Sequence, residues 1–260
     1  MPIELEFEAA GRTAATRAIF ARLDNEGYVN LPVLNGADLC LLDGPKYPFF
    51  WEPLATQWLS LRPRDQNGYI EARTRGMIED GRLIEIAPGN GHNPSARYAL
   101  SPELGILLAA RSHPAFVIAS HFSSQLAPLS LFGVGDETEP VRGVVMAVPV
   151  APPGKADELT KPSPVTDVFD HILTTTIHAA EFLADRVIRP APAKNHFQKQ
   201  PHRLVTLFRP GDGLTPAAEL SILGNGTTAR VTGAGISGEL DKETLRTILL
   251  DLLDQGTPTP

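Results

Sequence analysis

The stretch Asp65–Ile86, DQNGYIEARTRGMIEDGRLIEI, and the stretch Tyr98–Phe122, YALSPELGILLAARSHPAFVIASHF, read together as a packing unit. The first reads as a short helix broken at Gly76, followed by a hairpin turn at Asp80–Gly81 between two short apolar runs, since Asp-Gly in that setting favours a tight turn. Ser101 is placed as an N-cap, with Pro102 at the first helical position, where a missing N–H costs nothing. Leu104, Ile106, Leu107 and Leu108 fill the helix that follows, and His113–Pro114 stops it. Ala115–Phe122 then reads as a strand whose Phe116, Val117 and Ile118 are too continuously apolar for an exposed edge. Nothing in the unit is a catalytic constellation.

Working outward, the whole chain has the composition of a globular domain. Its 260 residues are 42% hydrophobic and 20% charged, enough to bury a sizeable core. A formal net charge of −7 argues against broad nucleic-acid or anionic-membrane binding, which need a basic face. Cys40 is the single cysteine, so neither an intrachain disulfide nor a multi-cysteine metal site is available. No apolar run approaches the ~20 residues of a membrane span. The acidic start MPIELEFEAAG lacks the basic and apolar regions of a signal peptide, so a cytoplasmic location is expected.

Taken in order, Ile3–Phe7 reads as a strand, Thr13–Leu23 as a helix, Tyr28–Leu34 as a strand and Trp51–Leu61 as a helix. Asp38–Leu42 is apolar but ambiguous between helix and strand. Gln125–Phe132 and Val141–Val148 are further apolar runs around an acidic turn. The proline-rich stretch at 149–164 reads as a linker between an N-terminal half (1–148) and a C-terminal half (165–260), the two together also being compatible with one compact domain. Thr166–Ile188 is the longest helical pattern, with Phe169, Ile172, Leu173, Thr176, Ile177, Ala180, Ala184 and Val187 at three- and four-residue steps. Leu204–Phe208 is a strand, and Glu219–Leu223 pairs with Thr227–Val231 through a type I′ turn at Asn225–Gly226. Leu245, Ile248, Leu249, Leu252 and Leu253 make a closing helix after Asp241.

Candidate chemistry is sparse. Gly233, Gly235 and Gly238 spell GxGxxG, but no second strand follows with an acidic residue for a ribose, so the glycines read as a loop between hairpin and helix. His171 and His178 lie seven apart on the expected helix, without the third ligand a metal needs. His196 and His202, with Lys194, Lys199 and Arg203, form a basic loop that either binds an anion or is simply solvated. Ser123–Ser124, Thr174–Thr176 and Cys40 lack any nucleophile-elbow context. Tyr47, Phe49, Phe50 and Trp51 read as a satellite core or a binding patch. No catalytic, cofactor or metal site is therefore expected. Leu129, Leu131 and Phe132 crowd a Gly- and Pro-bounded segment and are either core or a partner-binding patch.

Two families of binding module are suggested by the letters. ARTRGMIEDGRL at 72–83, SPELGILLAARSHPAFVI at 101–118, ELSILGNGTTARVTGAG at 219–235 and ELDKETLRTILLDLLD at 239–254 resemble the EspG family, the cytosolic chaperones of type VII (ESX) secretion in actinobacteria. The chain departs from that pattern in an insert at Ala87–Ala99 and in the stretch NHFQKQPHRL. The resemblance implies an α+β fold: a central, mostly antiparallel sheet flanked by helical bundles, with a weak two-fold relation between halves. It also implies a non-enzymatic protein that keeps the apolar tip of a PE–PPE heterodimer soluble, with no cofactor. The alternative is a winged-helix transcriptional regulator, with Glu71–Ile86 and Ala96–Leu100 as recognition helix and wing, and Arg73, Arg75, Arg82 and Arg97 as basic contacts.

Overall fold

The computed structural model describes residues 4–5, 9–35, 38–39, 42, 63–87, 97–122, 129–135, 141–150, 168–190, 202–209 and 215–254. The N-terminal elements are β1 (Glu4–Leu5), α1 (Ala9–Glu26), β2 (Tyr28–Asn35), α2 (Pro63–Glu79), β3 (Leu83–Ala87), β4 (Arg97–Leu100) and α3 (Pro102–Ser112). Then come β5 (Val117–Phe122), β6 (Leu129–Val134), β7 (Gly143–Pro149), β8 (Val168–Thr174) and α4 (Thr176–Ile188). The chain closes with β9 (Arg203–Phe208), β10 (Ala218–Gly224), β11 (Thr228–Gly233), β12 (Ile236–Asp241) and α5 (Lys242–Asp254).

The fold is α+β. Nine strands make one sheet in the order β12-β11-β10-β9-β5-β6-β7-β8-β2, and every neighbouring pair is antiparallel. A small second sheet, β1-β4-β3, contains one parallel pair. Residues 151–167, which hold most of the expected linker, lie outside the described residues. The strands on either side of them are direct neighbours: β7 pairs with β8, and the Val150 N–H donates to Val168 O at 2.9 Å.

Helices cover both faces of the large sheet. Ile19, Phe20 and Leu23 of α1 and Leu104, Leu107 and Leu108 of α3 share one core with Val117, Ala119, Phe132, Val145 and Leu173. Ala180, Leu183 and Val187 of α4 and Leu245, Leu249 and Leu253 of α5 share another with Phe116, Ile118, Leu131, Val144 and Ile222. Successive residues of a strand point to opposite faces, so β5, β6 and β7 are apolar on both and read as unbroken apolar runs. The Ser101 cap is as expected, its hydroxyl accepting from the Leu104 N–H at 3.3 Å with Pro102 next in line.

Several local expectations are corrected. α2 runs through Gly76 without a break, because a glycine in a helix costs only about 1 kcal/mol and its neighbours Thr74 and Met77 are buried. Asp80–Gly81 is a helix end and not a hairpin turn. Gly81 takes φ +70°, its N–H donates to Ile78 O, and the Arg82 N–H donates to Met77 O, which is the Schellman pattern. The expected helix at 166–188 divides into β8 and α4 at Thr175, whose side chain caps α4 by accepting from the His178 N–H. Phe169, His171 and Leu173 are buried at a spacing of two, a strand period that three- and four-residue steps had concealed. The β10–β11 turn has its positive φ at Gly226 alone, with the Asn225 N–H donating to Thr228 O. Glycine at the first central position of Gly226–Thr227 is type II′ geometry, one residue on from the expected type I′ turn. Gly233 and Gly235 form a second hairpin with Ala234, leading into β12, a strand the glycine pattern had hidden.

Candidate partner-binding surface

Leu129, Leu131 and Phe132 are core residues, 0%, 0% and 3% exposed, in the fully buried strand β6. Leu129 and Leu131 pack towards α4 and α5, whereas Phe132 packs towards α1 and α3 with the Arg111 guanidinium over its ring. Side chains on opposite faces of a covered sheet cannot make one contact patch, so the expected site is corrected to packing. Their density of large apolar groups is explained by burial on two sides.

The exposed apolar side chains lie elsewhere. Tyr28 (54%) and Val33 (45%) project from β2 and Ile177 (52%) from the first turn of α4, while Ile84 (55%) on β3 and Val150 (38%) after β7 are exposed apart from them. β2 is the last strand of the large sheet, with no strand beyond it among the described residues. The Tyr28 register partner is Thr174, which ends β8 just before α4, so Tyr28 and the start of α4 occupy the same end of the sheet. An edge strand offers unpaired backbone groups to another chain, and proteins usually guard such edges with charge. The opposite edge, β12, is guarded: ISGELD carries Glu239 and Asp241, both exposed. β2, YVNLPVLN, carries no charge at all.

β2 is held by polar ties as much as by packing. Its pairing with β8 slips by one residue between Leu31 and Leu34, a bulge around Pro32, which has no N–H to give a ladder. The Pro32 carbonyl instead faces His171 Nδ1 at 2.9 Å. A carbonyl only accepts, so the imidazole carries its proton on Nδ1. His171 is fully buried, and burial, then the nearby Arg111 charge, push it down to about 3, so the ring is neutral. The Gly27 carbonyl accepts from Thr174 Oγ1 at 3.0 Å, and the Val33 carbonyl from Arg82 at 3.0 Å. Beyond the strand, Asn35 and Asp38 exchange side-chain-to-backbone bonds of 3.1 and 2.8 Å. The buried Asp38 carboxylate takes a bidentate grip from Arg73 of α2 at 2.5 and 2.6 Å.

The remaining sequence candidates are dispersed. His171 sits in the core on β8 and His178 is exposed on α4, so they are not two ligands on one helix face. Among the described residues no three His, Cys, Asp or Glu side chains gather as a metal would require. Of the basic loop, Lys194, His196 and Lys199 lie outside the described residues, as do Cys40, Ser123–Ser124 and the Tyr47–Trp51 aromatics. Two of the four winged-helix arginines are engaged internally, Arg73 with Asp38 and Arg82 with Val33 O and Asp80. The sequence signal for the β2 edge is Pro32, since a proline inside a strand pattern demotes that strand to an edge.

The fold and this surface define an α+β protein with one covered sheet, one charged edge and one uncharged edge. No family model matches the chain, and no curated protein matches it. Among the described residues no helix is long and apolar enough to cross a membrane.

Proposed function

We propose that the protein is a non-enzymatic cytoplasmic chaperone or adaptor of the EspG kind, which holds the apolar surface of a protein client through the β2 edge. The client expected from the resemblance is a PE–PPE-type heterodimer of a type VII system. The observation that carries the reading is the asymmetry of the two sheet edges. An uncharged edge strand bearing Tyr28 and Val33, with Ile177 near one end, joins apolar anchors to a sheet edge beyond which no strand lies among the described residues, the setting for strand addition. Aromatic anchors of this kind are enriched where interfaces take most of their energy.

The test is co-expression with a PE–PPE pair from the same genome, followed by size exclusion. Co-elution is expected for the wild type and is expected to be lost in a Tyr28→Lys/Val33→Lys double variant that melts normally. Co-elution unchanged in that variant moves the surface elsewhere, and no complex with the wild type removes the chaperone reading. The winged-helix alternative draws on the α2–β3–β4 order, a helix followed by an antiparallel strand pair. A sequence-dependent gel shift that survives competitor DNA at physiological salt would establish it instead.

A further inference from the structure

Asn225 and Gly226 form the exposed tip of the β10–β11 hairpin. An asparagine followed by glycine is prone to close its side chain onto the next backbone nitrogen, because glycine has no Cβ to hinder the approach. In that closure the Gly226 nitrogen gives its proton to water and attacks Asn225 Cγ. A C–N bond forms, the Cγ–Nδ2 bond breaks and Nδ2 leaves as ammonia. Water then opens the succinimide at either carbonyl, leaving an aspartyl or an isoaspartyl residue. Water is the only co-reactant.

Both partners in this reaction are tied in the folded protein. The Gly226 N–H donates to the carbonyl of Ile188, the last residue of α4, at 2.8 Å. Asn225 Oδ1 accepts from the Thr227 N–H at 2.9 Å, Thr227 Oγ1 at 3.0 Å and the Thr228 N–H at 2.8 Å. Asn225 Nδ2 donates to Thr228 Oγ1 at 2.8 Å, and that hydroxyl donates to Glu239 at 2.6 Å. The end of α4 is pressed against the same hairpin: a Cβ on Gly224 would lie 2.3 Å from Ile188 O. An asparagine that shapes its own turn accounts for the bonds to Oδ1. It does not account for the nucleophilic nitrogen being bound to a different element, nor for the relay through Thr228 to Glu239.

We propose that Asn225 is a deamidation site restrained by α4, so that the reaction proceeds when the end of α4 lifts from the β10–β11 turn. The bond to Ile188 O keeps the proton on the nucleophile, and the side-chain bonds hold the amide in place. Loss of ammonia makes the change one-way. An isoaspartyl product adds a methylene to the main chain within a two-residue turn. An aspartyl product loses the Nδ2 donor and sets a carboxylate beside Glu239. Either product loosens the hairpin on which the end of α4 rests.

The full-length protein is aged at neutral pH, in buffer and in urea, and the peptide containing residue 225 is followed by mass and isoaspartate content. Conversion is expected in urea, and at least about tenfold more slowly in the folded protein, where closure waits for local opening. Gly224→Ala drives a methyl group into the Ile188 backbone and should speed conversion in buffer several-fold. Thr228→Val keeps the side chain's shape, removes the acceptor for Nδ2 and should give a smaller acceleration. If Gly224→Ala does not fold, Thr228→Val decides the matter alone. No conversion in urea overturns the proposal, as do equal rates in buffer and urea. Folded variants that age at the wild-type rate overturn it as well.

Discussion

β6 and β2 are both apolar strands of one sheet, and they are built on different principles. β6, LSLFGV, is buried at every position and is held by packing from two layers of helices. In β2, YVNLPVLN, buried Val29, Leu31 and Leu34 are interspersed with exposed Tyr28 and Val33, and the strand is fixed by hydrogen bonds at its bulge and ends. An apolar run therefore says that a strand needs a cover, and it does not say who supplies it. For β6 the cover is the protein's own helices. For β2 it is one face of the protein and, in our reading, a client on the edge.

The comparison can be broken most forcefully in the core. Leu131→Ala should cost about 2–5 kcal/mol in urea unfolding, because the side chain is fully buried under α4 and α5. A loss below about 1 kcal/mol would mean that β6 is not held by packing. Asp38→Ala comes next, at about 3 kcal/mol. It leaves Arg73 without its bidentate partner beside the end of β2, although Arg73 is itself 38% exposed, which moderates the penalty. An unchanged melting temperature would show that β2 does not depend on that tie.

His171 makes the hold on β2 pH-dependent. Its folded value of about 3 lies below the ordinary 6.5, so the native state resists a proton that the unfolded chain accepts. Its stabilisation is present above pH 6.5 and falls away as the pH drops towards 3. Between pH 7 and 5 this amounts to about 2 kcal/mol. His171→Asn keeps a donor for the Pro32 carbonyl and cannot titrate, so its unfolding free energy should lack that share of the acid dependence. Equal pH slopes in the two proteins would place His171 outside the native proton balance.

Smaller effects sharpen the same contrast. Gly81→Ala forces a side chain into the left-handed φ of the α2 cap and should cost about 1 kcal/mol by thermal melting. Tyr28→Lys and Val33→Lys should change stability by less than about 0.5 kcal/mol each, because both side chains already face water. A large destabilisation at either position would make β2 a second core strand and end its candidacy as a contact edge.

Local signals that act over a few residues were legible in the letters. Ser101–Pro102 started α3 where a cap and a first-turn proline belong, and Leu245, Leu249, Leu252 and Leu253 buried one face of α5. The unbroken apolarity of Phe116–Ile118 correctly marked β5 as interior, because only a strand covered on both sides can afford it. The tertiary structure decided what periodicity leaves degenerate. Phe169–Leu173 satisfies helical and strand spacing alike until β2 and β7 pair on either side of β8. Asp80–Gly81 suits a hairpin turn or a helix cap, and the length of α2 selects the cap. Whether Leu129, Leu131 and Phe132 meet solvent, and whether Tyr28 and Val33 do, depends on strand order across the whole sheet. That order is set by contacts between residues far apart in the chain, and no short stretch of sequence encodes it.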